Sequence, residues 1–272
     1  MITQEVSKGY FLINMAEFID QIGRSVHLDK PPERIISLVP SQTELLYDLG
    51  LNNKVVGITK FCIHPQHWHE SKMRVGGTKT IHLDKIHSLQ PDLIICNKEE
   101  NTKEIVEQLE RDYCVWVSDI SSLSDAYKMI HDLGQLFCIS QKANELVDAI
   151  KMRFKTIEKA TVKKVLYFIW RNPWMVAGKG TIIDSIINEM GWLNAICKER
   201  YPVIDLNEEI EVDEIFLSSE PYPFTQKHIE EIKTNFPSAS IRLVDGEMFS
   251  WYGSRLLNTP TYLNTLINSS SN

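Results

Sequence analysis

The residues best equipped for chemistry fall into three groups. Cys62-x-His64-x-x-His67-x-His69-Glu70 offers thiol, imidazole and carboxylate donors in one short loop. Zinc and other transition metals take such donors, so His64 and His67 are candidate ligands for a metal ion or for the metal of a bound complex. The spacing matches no standard zinc site, and the competing reading is a loop whose histidines lie at the surface or cap a short helix after Pro65. The second group is aromatic: Phe61, Trp170, Trp174, Tyr222, Trp251 and Tyr252, followed by Arg255. Rigid rings supply large contact area at small entropic cost, and a guanidinium offers a fork of N–H donors to an amide or carboxylate. The competing reading for each ring is core packing, and for Arg255 an ion pair with Asp245 or Glu247. The third group is that carboxylate pair itself, which could do acid/base work but has no evident partner and reads as cleft rim or turn. Enzyme signatures are otherwise missing. His69-Glu-Ser-Lys-Met73 lacks the second histidine of a zincin, and Gly178-Lys-Gly-Thr-Ile-Ile183 lacks the third glycine of a dinucleotide loop and reads as a turn before a helix. Neither a G-x-S-x-G elbow nor a P-loop occurs, so a non-catalytic protein is expected.

Positioning these groups requires strands and helices in alternation, and the pattern supplies them. Residues 34–39 read as a buried strand. Ser41 and Glu44 then read as a capping box opening a helix to Leu49, with Gly50 at the place of a C-terminal cap. Further strands are expected at 54–59, 92–97 and 113–118, with a helix at 101–111 between the last two. That β-α-β order implies a parallel sheet. Beyond Ser140, Ala143, Leu146, Val147, Ile150, Phe154 and Ile157 recur at helical spacing, which predicts one long helix ending near Ala160. A strand at 164–170 restarts the pattern. Strands at 212–218 and 241–244, with a helix at 227–233, repeat the order of the first half.

The expected fold class is therefore α/β: two lobes with mainly parallel sheets, each with its own core, joined by one long backbone helix, with a ligand cleft between them. The expected divisions are residues 1–139, a linking helix at 140–160, and residues 161–272. Ligands of open parallel sheets sit beyond the carboxyl ends of the strands. Two such edges face to face would line a cleft with residues 40–41, 61–64, 98–101, 170–174, 219–224 and 245–255. The ligand-binding candidates on those segments are Pro40, Ser41, Phe61, Trp170, Trp174, Tyr222, Trp251, Tyr252 and Arg255.

Composition narrows the class of partner. The 272 residues are 43% apolar and 24% charged, near globular averages. A net charge of -7 with no basic stripe argues against nucleic acid, and no apolar run reaches membrane-spanning length. Five cysteines, Cys62, Cys96, Cys114, Cys138 and Cys197, form an odd, widely spaced set without C-x-x-C and read as reduced core thiols. Residues 1–14 lack the basic start, long apolar middle and cleavage site of an export signal, and Met15 reads as an alternative start. Both features point to a cytoplasmic place for the sequence as given, with a periplasmic or cell-surface place if its start has been trimmed. A monomer is expected.

Four stretches, taken as a set, carry a resemblance. Pro31-Pro-Glu-Arg-Ile-Ile-Ser-Leu-Val-Pro-Ser-Gln-Thr-Glu-Leu-Leu46, Val75-Gly-Gly77, Leu89-Gln-Pro-Asp-Leu-Ile-Ile95 and Phe249-Ser-Trp-Tyr-Gly-Ser-Arg255 resemble the solute-binding proteins of cobalamin and iron-siderophore ABC importers, over roughly residues 20 to 263. Within that family of helical-backbone periplasmic binding proteins, the aromatic cleft edges are most similar to the cobalamin type. The resemblance implies two lobes on a rigid helix with little closure, and a corrinoid or other metal complex as ligand with no cofactor required. It also implies a possible ABC-importer membrane subunit as partner, docked through one exposed acidic residue per lobe. Glu208 or Glu209 would serve in the second lobe, whereas the comparable first-lobe stretch, Ser71-Lys-Met-Arg-Val75, is basic. Two alternatives stay open: a ferric-siderophore or metal-ion receptor using His64 and His67, and a chelatase-like enzyme acting on a tetrapyrrole.

Overall fold

The computed structural model describes residues 17–159 and 161–269, so the readings made of residues 1–14 and of Ala160 lie outside the described residues. A small antiparallel pair, β1 (Phe18–Ile19) and β2 (Ser25–Val26), precedes the first main sheet. Its strands are β3 (Ile35–Ser37), β4 (Val55–Ile58), β5 (Met73–Arg74), β6 (Leu93–Asn97) and β7 (Val115–Ser118). All pairs are parallel in the order β5-β4-β3-β6-β7. The connections carry α1 (Pro40–Asp48), α2 (Gln66–Ser71), α3 (Leu83–Leu89) and α4 (Lys103–Leu109). Two helices packed on each other, α5 (Leu123–Leu136) and α6 (Ser140–Phe154), lead to the second sheet.

That sheet holds β8 (Lys164–Trp170), β9 (Met175–Val176), β10 (Leu193–Asn194), β11 (Glu214–Ser218) and β12 (Ser240–Val244). It is parallel in the order β10-β8-β11-β12, with β9 antiparallel on β8. Helices α7 (Ile182–Glu189), α8 (Gln226–Lys233), α9 (Glu247–Ser250) and α10 (Thr259–Ser269) complete it, with a 3-10 turn at Ser254–Leu257. The α/β class with mainly parallel sheets holds.

The apolar runs make sense once both faces of each sheet are covered. Side chains alternate across a strand, so Ile35, Leu93, Ile95 and Trp116 fall on one face of the first sheet and Ile36, Ile94, Cys96 and Val117 on the other. In the second sheet Val165, Tyr167 and Phe216 oppose Leu166, Phe168 and Leu217 in the same way. The outer faces bury two separate clusters. The inner faces share one, which runs through α1, α5, α6, α7 and α10. Here the structure corrects the expectation of one core per lobe: the amphipathic helices between the sheets present apolar residues to both.

The linking segment differs as well. The helix expected from Ser140 is α6, which ends at Phe154 instead of near residue 160, and a second helix, α5, precedes it across a turn at Cys138, whose φ is +58°. A Cβ on Gly134 would lie 2.4 Å from the Cβ of Ala143, so the close approach of the two helices requires glycine there. At α1 the capping box is absent. Val39 is the N-cap, Pro40 occupies the first turn, and no side chain caps the helix. Ser41 is buried, and Glu44 is drawn into an ion pair with Arg255 of the other lobe. The turn read at Gly178 and Gly180 is present, with Thr181 capping α7 through the N–H of Asp184.

Candidate functional site

The carboxyl ends of β4 and β5 build one wall of an open hollow. After β4 the chain turns through Lys60, whose N–H bonds Gly76 O at 2.8 Å, and leaves Phe61 half in solvent at 50% exposure. After β5 a tight turn folds residues 76–81 back on themselves: Gly76 has φ +128°, Gly77 N donates to Thr80 O at 2.6 Å, and His82 N donates to Val75 O at 2.8 Å. A Cβ on Gly76 would meet Thr80 O at 2.3 Å, so only glycine allows the turn. The opposite wall comes from the second lobe. Trp170 ends β8 at 40% exposure, its ring edge-on to Tyr222 at 5.6 Å, beside Pro221 from the loop after β11. Together these segments line a hollow of about 720 Å³, whose polar side chains include Lys60, Arg74, Lys79, Thr80, His82 and Lys85. Among the described residues no carboxylate lines it.

Behind this hollow the lobes are tied by polar contacts. Arg200 pairs with Glu99 and donates to Gly180 O at 2.7 Å, while Tyr201 Oη donates to Glu99 Oε2 at 2.9 Å. Arg255 is fully occupied by two carboxylates: Nε and Nη2 donate to Glu44 at 2.9 and 2.6 Å, and Nη1 pairs with Glu247 Oε2 at 2.6 Å. Its guanidinium lies 4.7 Å over the ring of Trp251. The indole N–H of Trp251 donates to Glu220 Oε1 at 2.8 Å, and His64 meets both that ring, at 5.5 Å edge-on, and Glu247, at 3.4 Å. Two carboxyls of this junction are shifted, and the negative charge of Glu220 reaches Glu100. Burial, then the negative charge of Glu220, raise the carboxyl of Glu100, with Lys79 acting against them. Burial raises Glu220 too, against hydrogen bonds from Ser250 and Trp251.

The residues expected along the cleft thus separate. Phe61 and Trp170 come together on the hollow, with Tyr222 supporting Trp170 from behind. Trp174 does not face it: the ring stacks on Phe224 at 6.2 Å, meets Phe168 at 5.5 Å, and closes the outer cluster of the second sheet. Pro40 and Ser41 start α1 beneath Gly253, where an added Cβ would come within 2.8 Å of Ser41 O. Trp251 and Tyr252 are each only 6% exposed. Burial and Glu100 hold the Tyr252 phenol well above its ordinary range, against the nearby Ser41 and Ser118 hydroxyls. Arg255 and Glu44 line a different hollow, of about 460 Å³, with Asp48, Lys142 and Glu145, and the two hollows share no residue. Nearness to a strand end does not distinguish rings left open, such as Phe61 and Trp170, from rings packed away, such as Trp174.

The 62–70 loop does not gather its donors into one site. Among the described residues no group of three or more His, Cys, Asp or Glu side chains is placed to hold an ion. The donors of the 62–70 loop diverge because α2 follows Pro65 at once: His64 turns to Glu247, His67 packs edge-on to Tyr47 at 5.1 Å, and His69 Nδ1 faces Cys62 O at 3.2 Å. Cys62 is buried between Thr43 and Thr59, and burial raises its thiol. The cysteines are all free, but Cys138 and Cys197 are exposed rather than in the core, since each lies in a connection outside the strands. Glu208 and Glu209 lie at the surface, with Lys198 Nζ 3.9 Å from Glu208. The basic wall of the hollow was missed. Lys60, Arg74, Lys79 and Lys85 are scattered over the sequence, and only the pairing of β4 with β5 and the turn after it gather them.

Comparison with known proteins agrees with this geometry. The family model for periplasmic binding proteins matches residues 35–236. An uncharacterized ABC transporter substrate-binding lipoprotein of Bacillus subtilis, YvrC, is 30% identical over 188 residues, which are 65% of this chain and 59% of that protein, less than two thirds of its length. The vitamin B12-binding protein of Vibrio parahaemolyticus is 27% identical over 209 residues, covering 74% of this chain and 73% of its own. Among solved structures, the periplasmic vitamin B12 binding protein BtuF of Vibrio cholerae superposes with a TM-score of 0.68 at 19% identity, over 89% of this chain and 98% of that one. The periplasmic heme binding protein HutB of Vibrio cholerae gives 0.73 at 21%, over 86% and 98%. At such identities these likenesses speak for the fold. With the family match and the two facing sheets, they bear out the resemblance read from the motifs: the chain belongs to the periplasmic binding protein family.

Proposed function

We propose that this chain is the solute-binding component of an ABC importer and that it holds a bulky, metal-containing small molecule, with a corrinoid as the first candidate, between Phe61 and Trp170. The observation that carries the reading is the hollow itself: about 720 Å³, open, and flanked by half-exposed aromatic rings from opposite lobes. Leaving these two rings about half in water forgoes on the order of 1 kcal/mol of burial apiece, which a flat-faced ligand recovers. The similarity to vitamin B12-binding proteins supports a corrinoid. The basic lining favours a second reading, a heme or ferric siderophore with acidic groups. In either case the metal arrives inside the ligand, no resident cofactor is invoked, and the chain binds without turnover. Glu208 or Glu209 is the proposed contact to the membrane subunit from the second lobe. The lipoprotein and periplasmic descriptions of the relatives favour an extracytoplasmic place.

The test is a titration of tryptophan fluorescence with cyanocobalamin, hemin, a ferric tris-catecholate and zinc in turn. Saturable quenching by one of the metal complexes is expected, and silence toward all of them would refute the receptor reading.

A further inference from the structure

Resting on the ligand-binding reading, we infer that the first-lobe wall of the hollow is a recognition surface for anionic oxygen groups, so that the ligand is a flat-faced metal complex bearing carboxylates, phosphate or catecholate oxygens along one edge. The chain as a whole carries a net charge of -7, yet Lys60, Arg74, Lys79 and Lys85 converge on this one opening with His82 and without a single carboxylate. Such a local reversal of sign runs against the average field of the protein and focuses an anion into the cleft. The four cations are also free of direct ion pairs, although Lys79 is near enough to Glu100 to lower its carboxyl. Lys60 Nζ sits 4.9 Å over the Phe61 ring, Arg74 Nη1 lies 3.4 Å from His69 Nε2, and Lys85 donates to the Arg74 carbonyl at 3.1 Å. None of the four forms a salt bridge to a described residue, whereas Arg255, Arg200 and Arg171 each engage a carboxylate. The residue that crowns the turn, Lys79, is held by a backbone that requires Gly76, so its charge is presented at a set place and not on a free loop. Phe61 and Trp170 then take the face of the same molecule whose edge the cations read.

The test compares hemin with its dimethyl ester, two probes of one ring system that differ in two carboxylates, and cyanocobalamin with dicyanocobinamide, which differ in the phosphate-bearing nucleotide arm. Binding is followed by tryptophan quenching in the wild type and in a Lys60→Gln, Arg74→Gln, Lys79→Gln, Lys85→Gln variant. The acidic member of at least one pair should bind about tenfold more tightly or better, and rising salt should erode the advantage. In the variant that preference should collapse to within about twofold. The salt series on the wild type gives the same answer should the fourfold variant fold poorly. Equal binding of both members of each pair, or a preference untouched by salt, overturns the anion surface and leaves the receptor reading standing. Failure of every probe to bind overturns both.

Discussion

Trp170 closes β8 and Trp251 follows the short helix α9, and the two rings have opposite fates. Trp170 remains 40% exposed on the hollow, whereas Trp251 is covered by Arg255, His64 and Glu220. Trp170→Ala should weaken ligand binding by about 2 kcal/mol and leave stability nearly unchanged, as titration and thermal melts would show. Trp251→Ala should do the reverse, costing about 3 kcal/mol of stability through the cavity and the orphaned Glu220 acceptor. Arg255→Ala strands Glu44 and Glu247 in a part-buried site and should cost on the order of 3 kcal/mol in urea unfolding, with Arg255→Lys restoring only part, because one ammonium cannot serve two carboxylates bidentately. The raised carboxyls make a pH prediction. The folded state binds the protons of Glu100 and Glu220 more tightly than the unfolded chain does, so their contribution to stability falls as pH rises from the ordinary carboxylate range through the raised values. Glu220→Gln should therefore flatten stability across that window and raise it at neutral pH. A drop at neutral pH as large as at acid pH would contradict this. Residue types alone do not record this, because the partners lie far along the chain: Ser250 and Trp251 for Glu220, and Glu44 of the facing lobe for Arg255.

At the scale of elements, strand positions were legible because buried parallel strands read as unbroken apolar runs, and β6 (Leu93–Asn97) lies where the pattern placed it. Two helical features were not. The helix α5, with Ser122 capping Asp125 N and apolar residues at Leu123, Ala126, Ile130 and Leu133, has a periodic signal of its own upstream of the one beginning at Ser140. The start of α1 looked like a capping box, but Glu44 finds a better partner in a guanidinium more than two hundred residues away in the chain. Gly134 is the tightest point of the helix pair, with room for no side chain between it and Ala143. Gly134→Leu should separate α5 from α6 and cost roughly 2–3 kcal/mol, measured by denaturant unfolding. A substitution without cost would mean that the helices do not meet there.

The whole molecule is held by one inner core shared between both sheets, and the sequence divided it into two because each half repeats the same order of elements. A shared core and interlobe ion pairs predict a single calorimetric unfolding transition and little change in radius of gyration on ligand binding. What the repeat did convey was the facing of two strand edges and hence the cleft. The basic character of its wall was invisible because the charges converge only after folding. The central claim, that a metal-containing ligand sits between Phe61 and Trp170, is tested most directly by hydrogen–deuterium exchange on the protein saturated with whichever complex quenches its fluorescence. Protection should appear in residues 59–62, 76–80 and 170–174 together, from both lobes. Protection confined to the other hollow, around Glu44 and Lys142, would contradict the account.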